Sequence, residues 1–144
     1  METYQALFEP DRKAGGYVVT FPDFGYGVTQ AETDAEAMEM AQDLLMLTIG
    51  DYIRESRELP PPRRHRGSKF RAVRLPALQA AKVDLYLAFL ESGLKKAEFA
   101  RRIGIPKTHI ERLFSLRHRS QLGQIEAAFA ALGKRLHIEA RNAA

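Results

Sequence analysis

A chain of 144 residues has room for one average domain or two small modules. With 45% hydrophobic and 28% charged residues it has the make-up of a globular protein, and the absence of Cys excludes disulfides, thiolate chemistry and Cys-ligated zinc or iron–sulfur sites. The net charge of +4 hides a split: residues 1–56 carry three basic groups (Arg12, Lys13, Arg54) against eleven acidic ones, a net of −8, whereas residues 57–144 carry nineteen against seven, a net of +12.

Such asymmetry points to two surfaces with two different partners, the basic half suited to nucleic acid and the acidic half to something basic. Leu44 to Gly50, the longest uncharged run near a helical stretch, is far too short to cross a bilayer, so no membrane association is expected. Met1-Glu2-Thr3-Tyr4 offers neither the basic start nor the apolar core of a signal peptide, and a cytoplasmic location is the expectation. His65, His109, His118 and His137 never stand at metal-ligand spacing, so neither a metal nor another cofactor is expected.

The segment Tyr4-Gln5-Ala6-Leu7-Phe8-Glu9 alternates, and the stretch from Gly16 to Pro22 is rich in β-branched and aromatic residues. With the turn formers after Pro10 between them, they predict a β-hairpin with a long loop. Pro22-Asp23-Phe24-Gly25 ends the second strand, because Pro cannot donate to a ladder. Gly27-Val28-Thr29-Gln30-Ala31 predicts a short third strand, pairing back as a meander. Thr33 then predicts a helix N-cap, with Glu36 as its capping-box partner. Ala37, Met40, Ala41, Leu44, Leu45, Leu47 and Thr48 recur at helical spacing as one apolar stripe, and the helix should end between Gly50 and Glu55. Residues 1–56 are therefore read as an α+β layer with one helix covering one sheet face.

Residues 57–76 read as a basic Pro/Arg-rich linker: Pro60-Pro61-Pro62 favours polyproline II, and Arg63-Arg64-His65-Arg66 follows. Within it, Phe70 to Leu75 reads either as a strand returning to the sheet edge or as merely extended chain. Residues 77–144 read as all-α. Ala77 to Ser92 places Leu78, Ala81, Leu85, Ala88 and Phe89 on one face and ends at Gly93, and Lys95 to Ile103, Lys107 to Ser115 and Leu122 to Leu132 predict three further helices. The tail from Lys134 to Ala140 alternates Leu136, Ile138 and Ala140, and reads as a strand exchanged at a dimer interface or equally as a frayed end.

The stretch from Leu94 to Leu113 carries a DNA-binding argument. Ala100 is small where two helices must approach closely, Gly104 supplies the positive φ of a sharp turn, and Pro106 suits the first turn of the next helix. Phe99, Ile103, Ile105, Ile110 and Leu113 are spaced to pin the two helices together. In small, glycine and apolar positions this resembles the helix-turn-helix of Cro and lambda-repressor type. That geometry presents the start of the second helix to base edges: Lys107, Thr108 and His109, then Glu111 and Arg112. Arg117, His118 and Arg119 follow in a loop suited to phosphates, with Lys95, Lys96 and Arg101 as further phosphate candidates. One such module grips too few phosphates alone, so a homodimer or higher homo-oligomer on operator DNA is expected.

Tyr4-x-Ala6, Gly16-Tyr17-x-Val19-x-Phe21-Pro22-Asp23, Val28-Thr29 and Thr33-x-x-Glu36-Ala37-x-x-x-Ala41 together resemble the HicB antitoxin family over residues 4–56. The helix-turn-helix within 80–133 matches the subgroup of that family that carries one. The chain departs from the family in having Phe24-Gly25 where a Pro-Gly is frequent, and Ala31-Glu32 where Gly-Asp precedes the capping Thr. The resemblance implies a degenerate ribonuclease-H-like layer without nuclease activity, which covers the active site of a HicA-type toxin, a small basic RNA-cleaving protein. It also implies operator DNA as the second partner, with repression of the chain's own operon. The acidic N-terminal face fits a basic partner independently, although the sequence names none of its contact residues.

No enzyme is expected. A true ribonuclease-H site needs converging carboxylates to hold two metals, and the candidates Asp11, Asp23 and Asp43 read instead as two turn residues and one residue on the polar side of a helix. The competing reading is a stand-alone dimeric transcription regulator whose N-terminal layer senses a ligand or only dimerises. The −8 of that layer favours the antitoxin, since ligand sensing has no need of it.

Overall fold

The computed structural model describes residues 3–143 and divides into two compact units, one running to Ala80 and one beginning at Ala81. The first is α+β. Strands β1 (Tyr4–Pro10), β2 (Tyr17–Thr20), β3 (Val28–Ala31) and β4 (Phe70–Val73) form one sheet in the order β3-β2-β1-β4, every pair antiparallel. The first three strands are the predicted meander, and the Phe70 segment does return to the free edge of β1, with Tyr4 opposite Val73.

The register places Tyr4, Ala6 and Phe8 of β1, Val19 of β2, Ala31 of β3 and Val73 of β4 on one face, and all six are buried. Helix α1 (Asp34–Arg54) covers that face with Ala37, Ala41, Leu45, Thr48, Ile49, Tyr52 and Ile53. Thr33 caps it as predicted, its Oγ1 accepting from the Glu36 amide at 3.2 Å. The Glu36 carboxylate reaches one residue further back than a capping box requires, accepting from the Glu32 amide at 3.0 Å. Leu47, predicted in the stripe, is half exposed; the buried row continues through Ile49, Tyr52 and Ile53 instead.

Two features of the first unit depend on backbone geometry. Gly16 has φ +73°, and a Cβ there would lie 2.0 Å from the carbonyl oxygen of Ala31, so the hairpin closes against β3 only because nothing projects from this position. Phe24, in the turn after β2, packs its ring 4.7 Å from Tyr4 and 5.5 Å from Tyr52 and plugs the end of the core.

Residues 57–69 are no free linker. The Tyr4 hydroxyl donates to the Pro60 carbonyl at 2.6 Å, the His65 amide donates to Gln5 Oε1 at 2.5 Å, and the His65 ring stacks on Phe70 at 5.0 Å. With this segment assigned to it, the first unit holds ten basic against twelve acidic groups, −2, and the second holds twelve against six, +6. The charge contrast survives, at less than half its apparent size.

The second unit is all-helical: α2 (Ala77–Ser92, whose first turn precedes the boundary), α3 (Lys96–Ile103), a 3-10 turn (Lys107–His109) running into α4 (Ile110–Phe114), and α5 (Leu122–Ala131). Its core is aromatic. Phe89, Phe99 and Phe114 pack mutually with centroids 5.2 to 6.1 Å apart, and Tyr86 meets Phe114 edge-on at 5.5 Å. The buried face of α2 is Lys82, Val83, Leu85, Tyr86, Ala88 and Phe89; Leu78 and Ala81, expected there, are only half-buried. Residues 134–143 form no strand and are mostly exposed.

Candidate functional site

Helix α3 ends where the sequence requires it. Gly104 takes φ +86°, and the amides of Gly104 and Ile105 both donate to the Ala100 carbonyl, at 2.9 and 3.0 Å. Ile105 lies in a bend and Pro106 is extended. Pro106, expected to suit the first turn of the next helix, flanks the 3-10 turn with ψ 145°, and its carbonyl accepts from the His109 amide at 2.9 Å. Phe99, Ala100, Ile110 and Leu113 are buried as predicted, which holds α3 and α4 together and leaves the start of the second helix facing outward. Ile103 and Ile105 are half-buried.

Of the candidate contact residues, Lys107, Thr108, Glu111, Arg112, Arg117, His118 and Arg119 are exposed and His109 is half-buried. They lie on one continuous stretch: the 3-10 turn, α4 and the loop after it. Lys107, Arg112, Arg117 and Arg119 make no ion pair among the described residues. Glu111 does: its carboxylate accepts from Lys96 Nζ at 2.6 Å, so both are engaged with each other. Arg101 and Arg102 both pair with Glu98, at 2.7 and 3.4 Å. A hollow of about 420 Å³ behind α4 is floored by Ile103, Ile105 and Leu113 and rimmed by His109, Arg112 and His118. No carboxylate lines it.

Sequence reasoning missed the residue that supports this stretch from below. Lys82 of α2 is completely buried, and its ammonium donates to the carbonyls of Arg112 at 3.0 Å, Ser115 at 2.7 Å and His118 at 2.5 Å. These are carbonyls at the C-terminal end of α4 and in the loop beyond, which have no partner within a helix. Burial pushes the Lys82 pKa down from 10.5 to about 8. The signal was a lysine standing in the apolar row Leu78, Leu85, Phe89 at helical spacing.

The carboxylates Asp11, Asp23 and Asp43 play separate parts. Asp11 Oδ1 accepts from the amides of Lys13 and Ala14 at 3.0 and 3.1 Å, the expected turn role. Asp43 is exposed on α1. Asp23 is not a self-bonded turn residue: its buried carboxylate accepts from the Arg63 amide and from His65 Nε2. Among the described residues no three His, Asp or Glu side chains gather as a metal site, and no helix is long and apolar enough to cross a membrane. The outer side of α1 sets Glu39, Asp43, Leu47 and Asp51 four residues apart, and exposed Tyr26, on the approach to β3, stands at its Asp51 end. The Tyr26 ring stacks near Tyr52, and burial together with the Asp51 carboxylate raises its phenol pKa.

A family described as the HicB-like antitoxin of bacterial toxin–antitoxin systems matches residues 3–84. Antitoxin HicB of Escherichia coli strain K12 is 44% identical over 124 residues, covering 86% of this chain and 89% of that one. Antitoxin HicB 2 of Photorhabdus laumondii is 38% identical over 137 residues, 95% of each chain. A chain of a solved toxin–antitoxin complex from Streptococcus pneumoniae is 42% identical, covering 43% of this chain and 44% of that one at a TM-score of 0.41.

Proposed function

The chain belongs to the HicB-like antitoxin family of bacterial toxin–antitoxin systems, and from that premise we propose a division of labour between its two units. The first binds and neutralises a small basic RNA-cleaving toxin of HicA type. The second binds operator DNA as a homodimer or higher homo-oligomer and represses the operon that encodes the pair. Neither unit acts as an enzyme.

For the toxin, the supporting observation is the outer side of α1, where Glu39, Asp43 and Asp51 flank exposed Leu47, with exposed Tyr26 at its Asp51 end. Carboxylates around an apolar centre suit a basic partner, steering its approach and supplying area to bury. For DNA, the carrying observation is four cations, Lys107, Arg112, Arg117 and Arg119, exposed along one short stretch of a unit with a net charge of +6. Dimerisation follows from the small number of phosphates one unit can reach.

The test is a growth assay paired with a mobility-shift assay. A HicA-type toxin from the same genome is expressed alone and together with the full chain, and the chain is titrated onto the DNA upstream of its own gene. Toxin arrest relieved by the chain, with a retarded DNA complex, is the expected result. Arrest that persists would overturn the toxin half, and no complex at any salt concentration would overturn the DNA half.

A further inference from the structure

We propose that Lys82 is a positioning residue for DNA binding: from inside the second unit its ammonium holds the end of α4 and the Arg117–Arg119 loop in the shape that meets phosphate. The inference rests on the operator-binding reading above and adds a residue that touches no DNA itself.

The geometry carries it. An ammonium has three N–H donors, and Lys82 Nζ has three carbonyl partners, those of Arg112, Ser115 and His118. All three acceptors belong to the segment that presents Arg112, Arg117 and Arg119. Within the segment the Ser115 amide donates to Glu111, the His118 amide to Ser115, and the Ser120 amide to His118, at 2.9, 3.3 and 3.1 Å. Ser120, also buried, adds one long hydroxyl bond to the Arg112 carbonyl at 3.4 Å. The other donors given to these carbonyls come from within the segment itself, whereas Lys82 reaches all three from α2, so the direction of the loop cations depends on this buried side chain. A cation below the C-terminal end of α4 is also favourably placed for the helix dipole.

The arrangement has a dependence on pH built into it. The lowering of the Lys82 pKa has burial as its cause, with no carboxylate contributing. The charged and titratable residues of the surrounding segments are Asp84, Tyr86 and Glu91 on α2, Glu111 and Arg112 on α4, and Arg117, His118 and Arg119 in the loop. On deprotonation the amine keeps two N–H groups for three carbonyls, so one contact is lost as pH rises through about 8.

The experiment uses the full chain and its Lys82→Met variant, with the DNA upstream of the gene as probe. Amide hydrogen exchange of Ser115, His118 and Ser120 is followed without DNA, and affinity is measured from pH 7 to 9. Expected are exchange at these amides at least tenfold faster in K82M, affinity at least tenfold lower, and a several-fold fall in wild-type affinity across that range which K82M lacks. Unchanged exchange at the three amides, or affinity within twofold of wild type in a folded K82M, would overturn the proposal. Should K82M not fold, the wild-type series decides: exchange at the three amides that follows only the intrinsic base catalysis up to pH 9 would equally overturn it. Failure of the wild type to bind the DNA would sink the operator reading, whereas the exchange measurement would still decide whether Lys82 holds the loop.

Discussion

His65 Nε2 donates to Oδ1 of Asp23 across 2.8 Å, joining residues 42 positions apart, and the Asp23 carboxylate is almost wholly buried by the contact. Its other oxygen accepts from the Arg63 amide at 3.0 Å. A turn carboxylate thereby fastens the arginine-rich segment to the sheet.

Replacing Asp23 with Ala should release that segment. The Arg63 amide and the His65 ring lose their acceptor together, a cost of about 1–3 kcal/mol. Limited trypsin digestion should then cut at Arg63, Arg64 or Arg66 several-fold faster than in wild type, with D23N in between because it keeps an acceptor. Equal cleavage rates in all three proteins would show that Tyr4 and Gln5 hold the segment without Asp23.

Gly15 and Gly16 both have positive φ, but only Gly16 faces backbone, the Ala31 carbonyl, at a distance no Cβ tolerates. Gly15→Ala should cost about 1 kcal/mol, the strain of a left-handed alanine. Gly16→Ala must also push β2 and β3 apart and should cost several times more. Urea midpoints of the two variants compare the effects directly, and similar midpoints would contradict the close approach.

Most of the fold is legible in the sequence because it rests on local pattern: alternation for β1, a capping threonine for α1, a glycine that ends α3. The site is less so. Asp23 has the neighbours of a turn residue, and only the return of residues 57–66 across the sheet gives it partners. Lys82 stands in an apolar row of α2, but the carbonyls it serves reach it only when the loop after α4 folds over it. Leu47 shows the reverse error, since at 3.6 residues per turn its spacing from Leu44 carries it off the row Ala37, Ala41, Leu45, Thr48 and Tyr52 that faces the sheet. A sheet edge, a burial and a long-range partner are not properties of a window of sequence.

Glu111 is among the residues that the helix-turn-helix geometry presents to base edges, yet it pairs with Lys96 across the two helices. Glu111→Ala should change stability by no more than about 1 kcal/mol, because the carboxylate is well exposed. It should strengthen binding to the upstream DNA several-fold and steepen the salt dependence by about one phosphate contact, as Lys96 is freed and a repelling charge removed. Weaker binding with altered base preference would restore the base-reading role.

Lys107→Ala and Arg112→Ala test the division between the units. Arg112→Ala should cost about 1–3 kcal/mol in DNA binding if the guanidinium reads a base, and Lys107→Ala should reduce the salt slope by about one if it meets a phosphate. Toxin neutralisation in the growth assay should be unchanged in both, since both residues lie in the second unit. Loss of both activities in one variant would contradict separate roles for the units.

The last prediction concerns folding stability and runs opposite to DNA binding. Unfolded, Lys82 keeps its proton up to its ordinary pKa of 10.5; folded, only up to about 8. Between those values the unfolded chain binds more protons, so raising the pH favours the folded state, while below pH 8 both states are protonated and Lys82 contributes no slope. Wild type should therefore gain stability relative to K82M as pH rises from 8 to 9.5, a window that closes before the tyrosines and surface lysines titrate. Urea midpoints of the two proteins at half-unit steps give the comparison. A difference that stays constant across the window would mean that the buried ammonium keeps its proton there, and that its three carbonyl partners outweigh the loss of water.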